Sequence, residues 1–358
     1  MDIDRYLEVV VEKGGSDLHL KAGGPAYIRV DGDLRPVRTL PELSPADVER
    51  FAFAIMDDRV TRTFMDSNEA DFAHAVEGVG RFRVNVFRQR GVVGIVMRRV
   101  LPGAPDFETL GLPPVCRKLA EEHRGLILVT GPTGSGKTTT TAAMIGHINR
   151  TRRCHIVTIE DPIEIMHRDA EAIIDQREIG VDTSDFPRAL KAVARQDPDV
   201  IFIGEMRDVD TVIAALQAAE TGHLVISTLH TTDARETVNR VVDSFPPHQQ
   251  GQARISLATT LKGVISQRLL PRATGDGRVA AIEALVMTTR IYEFIIDPEQ
   301  TAQIEDAIAE GQYYGMQTFD QSLLELYRAG EITLRDALSA STSPHDFRVA
   351  VKAAGLAG

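Results

Sequence analysis

The chain has 358 residues, 43% apolar and 25% charged, which is enough for two or three domains with buried cores. Its net charge of −11 argues against a general nucleic-acid binder, because neutralising phosphates requires a basic face. The only cysteines, Cys116 and Cys154, lie in unrelated contexts, which argues against a disulfide framework and a cysteine-based zinc site.

The N-terminus does not have the pattern of a targeting segment. Residues 1–15 carry acids where a secretory signal has basic residues. No window of the sequence approaches the roughly 18 apolar residues that span a bilayer. We therefore expect a cytoplasmic protein that touches membranes only through partners.

Residues 1–100 predict a small α+β domain. An amphipathic helix in MDIDRYLEVVVEKGG is followed by a strand in SDLHL, and YIRV and DLRPV form a hairpin around Asp31 and Gly32. Ser44 is the predicted N-cap of the next helix, with Pro45 at its first position. Strand-like runs fill the rest of the domain, up to residue 100.

The pattern changes at residues 101–114, which are rich in proline and glycine and predict an interdomain linker. In residues 115–289, the apolar strands GLILVTG, HIVTIE, DVIFIGE and HLVISTL alternate with helical patterns. This alternation predicts βαβ units around a mostly parallel sheet, an α/β fold. Residues 290–358 predict a helical region.

A phosphate-binding loop is the strongest motif. GPTGSGKT, residues 131–138, matches G-x-x-x-x-G-K-[ST] at every fixed position, follows an apolar strand and opens a helix. Lys137 is expected to reach the β- and γ-phosphates of ATP, and the Thr138 hydroxyl to bind Mg²⁺. The predicted nucleotide-binding residues of the loop are Gly131, Pro132, Thr133, Gly134, Ser135, Gly136, Lys137, Thr138 and Thr139.

Hydrolysis also needs carboxylates, and two acidic segments supply candidates. In DVIFIGEMRD, Gly204 occupies the place where such strands usually end in Asp, and Glu205 follows. TIEDPIE offers Glu160, Asp161 and Glu164 at the end of the preceding strand. We predict that Glu164 orients or deprotonates the attacking water and that Glu205 lies on the Mg²⁺ side, although the two roles can be exchanged.

Two histidines bracket the strand HLVISTL. His223 and His230 are seven positions apart, so a strand directs them to opposite faces and they do not share a metal ion. His230, at the carboxyl end of its strand, is placed to donate a hydrogen bond to a γ-phosphate. His223 is more typical of a structural histidine.

GPTGSGKTTT, TIEDPIE, IFIGEMRD and GHLVISTLHTTDARETVNRVVDSFP resemble, in order and spacing, the Walker A, acidic, Walker B and histidine boxes of the type II/IV secretion ATPases. SDLHL, GRFRVNVF, QREIGVDT, GVISQRLLP and GMQTFDQSLLEL resemble the type IV pilus retraction ATPases among them. The resemblance implies a hexamer of subunits with an N-terminal PAS-like domain and a RecA-like ATPase domain, with the nucleotide between them. It places the family's functional glutamates at Glu164 and Glu205, and its histidine-box residues at His223 and His230, so that His223 joins the nucleotide-binding set.

The resemblance also implies that arginines of the N-terminal domain reach the nucleotide, and the candidates are Arg81, Arg83 and Arg98. The residues themselves give weaker support. Arg81 and Arg83 are two apart in a strand and share a face, and a guanidinium fork suits phosphoryl oxygens. A solvated basic face or intersubunit salt bridges would also explain them.

The expected function is a motor that powers pilus retraction and twitching motility by ATP hydrolysis. The expected partners are an inner-membrane platform protein, which would hold the ring at the inner face of the cytoplasmic membrane, and a paralogous retraction ATPase, but no nucleic acid. The alternatives are a pilus-assembly or secretion ATPase, a RecA-like nucleic-acid translocase and a non-catalytic, nucleotide-gated subunit. One departure leaves the direction of the motor open: the acidic QIEDAIAEGQ, residues 303–312, replaces a basic motif of the retraction ATPases that is close to AIRNLIRE.

Overall fold

The computed structural model describes residues 2–30 and 32–356. Numbered in chain order, the strands are β1 (Asp17–Lys21), β2 (Tyr27–Val30), β3 (Asp33–Pro36), β4 (Glu69–Val76), β5 (Gly80–Gln89), β6 (Val92–Arg99), β7 (Leu101–Pro102), β8 (Gly125–Thr130), β9 (His155–Glu160), β10 (Ile165–Met166), β11 (Ile173–Glu178), β12 (Val200–Ile203), β13 (Leu224–Leu229), β14 (Leu261–Pro271) and β15 (Arg278–Val286). The helices are α1 (Asp4–Glu12), α2 (Pro45–Ile55), α3 (Asp58–Ser67), α4 (Phe107–Leu110), α5 (Pro114–Ala120), α6 (Lys137–Thr151), α7 (Phe186–Val193), α8 (Val209–Glu220), α9 (Ala234–Asp243), α10 (Gln250–Thr260), α11 (Thr289–Ile296), α12 (Ile304–Glu310), α13 (Phe319–Arg328), α14 (Leu334–Ala340) and α15 (Pro344–Ala353). Short 3-10 turns lie at Pro247–Gln249, Thr301–Gln303 and Gln312–Tyr314.

The first compact unit runs to Pro102 and includes Glu164–Met166. Its main sheet is antiparallel, with the strand order β3-β2-β1-β6-β5-β4. Alternate residues of the strands, such as Phe82 and Met97, form one core with side chains of α1, α2 and α3. This unit therefore combines an antiparallel sheet with three helices, the α+β arrangement that its sequence predicts.

Local signals of this unit are formed as the sequence predicts. The Ser44 side chain accepts the N–H of Asp47, and the Asp47 carboxylate accepts the N–H of Ser44, which makes a capping box at the start of α2. β2 and β3 pair as the predicted hairpin, and Gly32 has a φ of +91°. Asp31, the other residue of the predicted turn, lies outside the described residues.

The second compact unit contains the predicted parallel sheet. Its strand order is β11-β9-β12-β13-β8-β14-β15, and every neighbouring pair is parallel except β14 and β15. Every residue of β8, β12 and β13 is buried, because helices cover both faces of the sheet. The loop after β8 therefore has β13 and β14 as its neighbours.

Residues 101–114, which we predicted as a linker, contain regular structure. β7 pairs with β10 in parallel within the first unit. α4 ends at Gly111, which has a φ of +64°, and the ring of Phe107 is buried with side chains of α5 and α6.

The C-terminal region is helical as predicted, from α11 to α15. The acidic stretch at 303–312 forms α12, which buries Ile304, Ala307 and Ile308 and carries its acids on the exposed side. Over the described ranges, no helix combines the length and the apolar character that a membrane span requires.

Candidate nucleotide site

The loop after β8 is curled tightly, and its glycines make this possible. Gly131, Gly134 and Gly136 have φ values of +144°, +81° and +92°. A Cβ atom on Gly131 would lie 2.5 Å from Oγ of Ser135 and 2.6 Å from the carbonyl oxygen of Gln267. No side chain fits there, so the backbone wraps around the space in front of α6.

The polar groups of this loop suit a phosphate. Lys137 Nζ donates to the carbonyl oxygens of Gly131 at 2.8 Å and Pro132 at 3.1 Å, which holds the ammonium inside the loop. Ser135 is 3% exposed, and its hydroxyl has no hydrogen-bond partner among the described residues. A buried donor without a partner is costly, and a phosphate oxygen would satisfy it.

Glu205 and His230 meet next to this loop. Glu205 comes shortly after β12 and His230 directly after β13, and β13 is the neighbour of β8. The three parallel strands therefore bring the loop, the carboxylate and the imidazole to one edge of the sheet. His230 Nε2 lies 3.2 Å from Glu205 Oε2.

Arg207 is a second partner of Glu205, which the sequence did not predict. Its guanidinium forms an ion pair with the Glu205 carboxylate and lies 3.9 Å from Asp161 Oδ2. Burial alone would raise the pKa of Glu205, but the hydrogen bonds from Arg207 and His230 outweigh it and lower that pKa. Glu205 is thus an ionised carboxylate at neutral pH, which suits a metal ligand or an acceptor of hydrogen bonds from metal-bound water.

Gly204 has a steric explanation. Its N–H donates to the carbonyl of Ile159 at 2.8 Å, and its carbonyl accepts the Thr228 hydroxyl at 2.7 Å. A Cβ at this position would lie 3.3 Å from the carbonyl oxygen of Ile159 and from Cα of Glu160. The close backbone of β9 therefore crowds any side chain at this position, and the aspartate that usually ends such a strand would fit only if β9 moved by a few tenths of an ångström.

The three carboxylates of the acidic segment at the end of β9 lie in different surroundings. Glu160 is 8% exposed and accepts hydrogen bonds from the Thr158 hydroxyl at 2.7 Å and the Gln176 amide at 3.2 Å, so it is held inside the fold. Asp161 is exposed and precedes a cis peptide bond to Pro162. Glu164 is exposed and belongs to the first compact unit, whereas Glu205 belongs to the second.

His223 lies at the other end of β13 from His230. Its Nδ1 is 2.9 Å from the carbonyl oxygen of Ala218 and 3.1 Å from the Thr221 hydroxyl. These contacts anchor the turn between α8 and β13. The structure does not bring His223 together with His230.

The candidate arginines lie on the face of the N-terminal sheet that faces away from its helices. Arg83 is exposed and pairs in register with Arg98, which in turn pairs with Asp17 of β1. Arg98 Nε donates to Asp17 Oδ1 at 2.9 Å, and Asp17 is only 5% exposed. Arg81 is half-buried on the same face of β5.

Sequence reasoning missed a cavity beside the loop. It has a volume of about 350 Å³ and is lined by Leu112, Gly136, Thr139, Gln267, Leu269 and Arg278, among others. Gln267 is 1% exposed, and its amide oxygen has no partner among the described residues. The segment GVISQRLLP carries no phosphate motif, so only the pairing of β14 with β8 places it here.

Comparison with known proteins identifies the family of the chain. The model of the type II/IV secretion system protein family matches residues 1–319. The chain belongs to that family. A type IV pilus retraction ATPase, PilT, of Pseudomonas aeruginosa is 45% identical over 97% of this chain and 100% of its own length. A type IV pilus ATPase of the same organism, PilU, is 42% identical over 98% of this chain and 92% of its own length.

A solved structure of this family is also similar. The crystal structure of the pilus retraction motor PilT with bound ADP has a TM-score of 0.90 and 46% identity, covering 97% of this chain and 98% of that one. The predictions of the family, of a RecA-like fold with a smaller N-terminal domain, and of an ATPase of the pilus retraction type are confirmed by these similarities.

Proposed function

We propose that this chain is the subunit of a hexameric, ATP-hydrolysing motor that retracts a type IV pilus and thereby powers twitching motility. The observation that carries the proposal is the contact between Glu205 and His230 beside the phosphate-binding loop, at the carboxyl edge of adjacent parallel strands. Its relatives include a type IV pilus retraction ATPase and a pilus retraction motor whose crystal structure holds ADP, which supports the ATPase and the retraction parts of the proposal.

The loop from Gly131 to Thr139 binds the phosphates of ATP. Its backbone N–H groups and the first turn of α6 face the phosphates, and Lys137 exchanges its two carbonyl acceptors for phosphate oxygens. The cavity lined by Leu112, Gln267 and Leu269 takes the nucleoside, because it adjoins the loop at Gly136 and combines apolar side chains with a few polar ones.

The carboxylates divide the remaining work. Mg²⁺ is bound by few protein oxygens and completes its shell with water and phosphate oxygens. The Thr138 hydroxyl and the ionised Glu205 carboxylate are suitable protein ligands. When bound, the ion would neutralise charge on the phosphates. Glu164 orients or deprotonates the attacking water. His230, which contacts Glu205 in this structure, donates a hydrogen bond to the γ-phosphate and loses that bond when the γ-phosphate leaves after hydrolysis. His223 supports the strand that carries His230.

At least one of the arginines of the N-terminal domain completes the site by donating hydrogen bonds to the phosphates. The candidates are Arg81, Arg83 and Arg98. Arg83 is the best placed of these, since it is exposed and forms no ion pair among the described residues, whereas Arg98 already neutralises Asp17. We further propose that the ring works on an inner-membrane platform protein, is joined by a paralogous retraction ATPase, and contacts the membrane only through such partners.

The test of the chemistry is steady-state ATP hydrolysis over a protein concentration series, with particle size followed by light scattering. Wild type is expected to turn over ATP with a rate per subunit that rises as rings form. Glu205→Gln removes the charge with little change of shape, so it should form rings and bind ATP but lose turnover. A wild-type protein that stays monomeric, or binds ATP without turnover, contradicts the motor.

The direction of the motor needs a second experiment, because the acidic α12 stands where retraction ATPases carry a basic motif. The gene is deleted in the native bacterium, and surface pili are counted by electron microscopy. Loss of a retraction motor leaves more pili and abolishes twitching. Loss of an assembly ATPase leaves none, and that outcome would transfer the chain to the assembly class.

A further inference from the structure

Glu283 is a buried carboxyl group that the proposed chemistry does not use. It lies on β15, in register with Ser266 of β14, which is itself in register with Thr130, the last residue before the phosphate-binding loop. The Thr130 hydroxyl donates to Ser266 Oγ at 2.9 Å. Glu283 is 6% exposed and lines a small polar cavity of about 70 Å³.

The partner of Glu283 is the beginning of α9. Its Oε1 accepts the backbone N–H of Ala234, the first residue of that helix, at 2.8 Å. The N–H groups of the first helical turn have no partner within the helix, and the helix dipole makes them strong donors to a carboxylate. Glu283 thus connects the start of α9 to strand β15 of the sheet.

The start of α9 in turn holds the segment that begins with His230. The Glu236 carboxylate accepts the N–H and the hydroxyl of Thr232, both at 2.7 Å, and Thr231 shares a hydrogen bond of 2.7 Å with Thr237. Asp233 caps the helix through the N–H of Glu236. The first turn of α9 therefore holds residues 230–234 in place. His230 is the first residue of this segment, and Ala234, which Glu283 binds, is the last.

The charges around Glu283 set its protonation. Burial, aided by the acids Asp233 and Glu305, raises the pKa of Glu283 to about 7, while the Ala234 N–H and the cation of Arg268 act in the opposite direction. Arg235 is the other charged group at the cavity. At this pKa roughly half of the Glu283 carboxyl groups are protonated at pH 7, and the neutral amide of glutamine resembles that protonated form and keeps an acceptor for the Ala234 N–H.

We propose that Glu283 is a positioning residue for ATP hydrolysis: by holding the N–H of Ala234 it fixes the start of α9, and through it the placement of His230 against Glu205. The inference rests on the proposed role of His230 and Glu205. It concerns turnover rather than ATP binding, since the two groups that it would position, His230 and Glu205, lie outside the phosphate-binding loop.

The experiment compares kcat and KM for ATP in Glu283→Leu, Glu283→Gln and Ala234→Pro. Glu283→Leu removes the acceptor, and a small displacement of a reacting group is enough to lower kcat by about tenfold or more, with KM within about twofold. Glu283→Gln keeps an acceptor and is expected to recover most of kcat. Ala234→Pro removes the donor at a helix position where proline is tolerated, after an extended Asp233. Because Ala234 is buried and the ring adds volume there, kcat should fall at least as far as in Glu283→Leu.

A double-mutant cycle separates positioning from general damage to the fold. In a His230→Ala background, Glu283→Leu should cause no further loss of kcat, because both changes remove the same contact. Glu305→Gln, on the other side of the cavity, is the matched control and should leave kcat unchanged. Normal kcat in Ala234→Pro, or losses that multiply in the double mutant, would overturn the inference.

The two proposals fail in different ways. If wild type is inactive, or if Glu205→Gln keeps wild-type turnover, the proposed function is wrong. If turnover depends on Glu205 and His230 but not on Glu283 or the Ala234 N–H, only the positioning role is wrong. Ring formation by each variant, measured by light scattering, shows that the comparison is between folded proteins.

Discussion

Gly204 allows a sharp test of how the site is packed. We predict that Gly204→Ala destabilises the ATPase unit, because the new methyl group lies 3.3 Å from two backbone atoms of β9, the carbonyl oxygen of Ile159 and Cα of Glu160. Carbon atoms pack ordinarily at about 3.5–4.0 Å, and backbone atoms of a buried strand cannot rotate away.

The magnitude follows from two opposing effects. Overpacking a buried position costs about 1–3 kcal/mol. Replacing glycine by alanine also restricts the unfolded chain, which stabilises by about 0.4–1 kcal/mol. The free energy of unfolding should therefore fall by roughly 1–2 kcal/mol, which lowers the Tm by about 2–8 °C for a unit of this size.

The assay is thermal and urea unfolding of wild type, Gly204→Ala and Gly251→Ala. Gly251 lies in α10, and a Cβ there meets nothing within 4 Å, so alanine should raise the free energy of unfolding by about 0.5–1 kcal/mol. A Gly204→Ala protein that is as stable as Gly251→Ala would refute the steric reasoning. Gly204→Asp, which restores the usual residue, should be at least as destabilised as Gly204→Ala.

Three further outcomes are expected. Burial, with a smaller effect of Arg150, lowers the pKa of His167 to about 4 from 6.5. The unfolded chain therefore binds the proton more readily, and the free energy of unfolding should fall as the pH is lowered from about 6.5 to 4. In urea unfolding, His167→Gln should lose less stability than wild type over that range. Burial raises the pKa of Cys116 to about 12, so iodoacetamide should modify it only after unfolding, and rapid labelling of the native protein, read by mass spectrometry, would contradict its placement. Arg98→Ala removes the hydrogen bond of 2.9 Å to the buried Asp17, which keeps the Ser16 hydroxyl and Arg29 as partners, and should lower the free energy of unfolding by about 1 kcal/mol in urea. Equal stability of the variant would mean that the Arg98–Asp17 pair contributes nothing.

Local structure was predictable wherever neighbouring residues decide it. Ser44 and Asp47 form a capping box within one helical turn, and the phosphate-binding loop needs glycines at positive φ within its own eight residues. The alternation of buried strands and amphipathic helices was enough to predict the parallel sheet. The linker at 101–114 was less predictable, because Phe107 gains its helix by burial in a core made of distant segments.

The candidate site was predicted only in part for the same reason. The sequence placed Glu205 and His230 at strand ends, but their contact at 3.2 Å depends on the strand order β12-β13-β8. Arg207 and Thr158 each lie two positions from the glutamate that they contact, but no sequence motif marks these pairings. Gln176 reaches Glu160 only because β11 pairs with β9. The proposed roles of Glu164 in activating the attacking water and of the arginines in binding the phosphates stay predictions.

What the sequence by itself determined is the chemistry that is available: a phosphate-binding loop, two acidic segments, a histidine at a strand end and a mostly parallel sheet, since each depends on residues close together in the chain. The tertiary structure alone decided which of these groups meet. Glu283 lies 49 positions from Ala234, and only the packing of α9 against β15 turns an ordinary strand glutamate into a buried acceptor at a helix start. Burial and partner choice are properties of segments brought together by the whole sheet, and no local pattern encodes them.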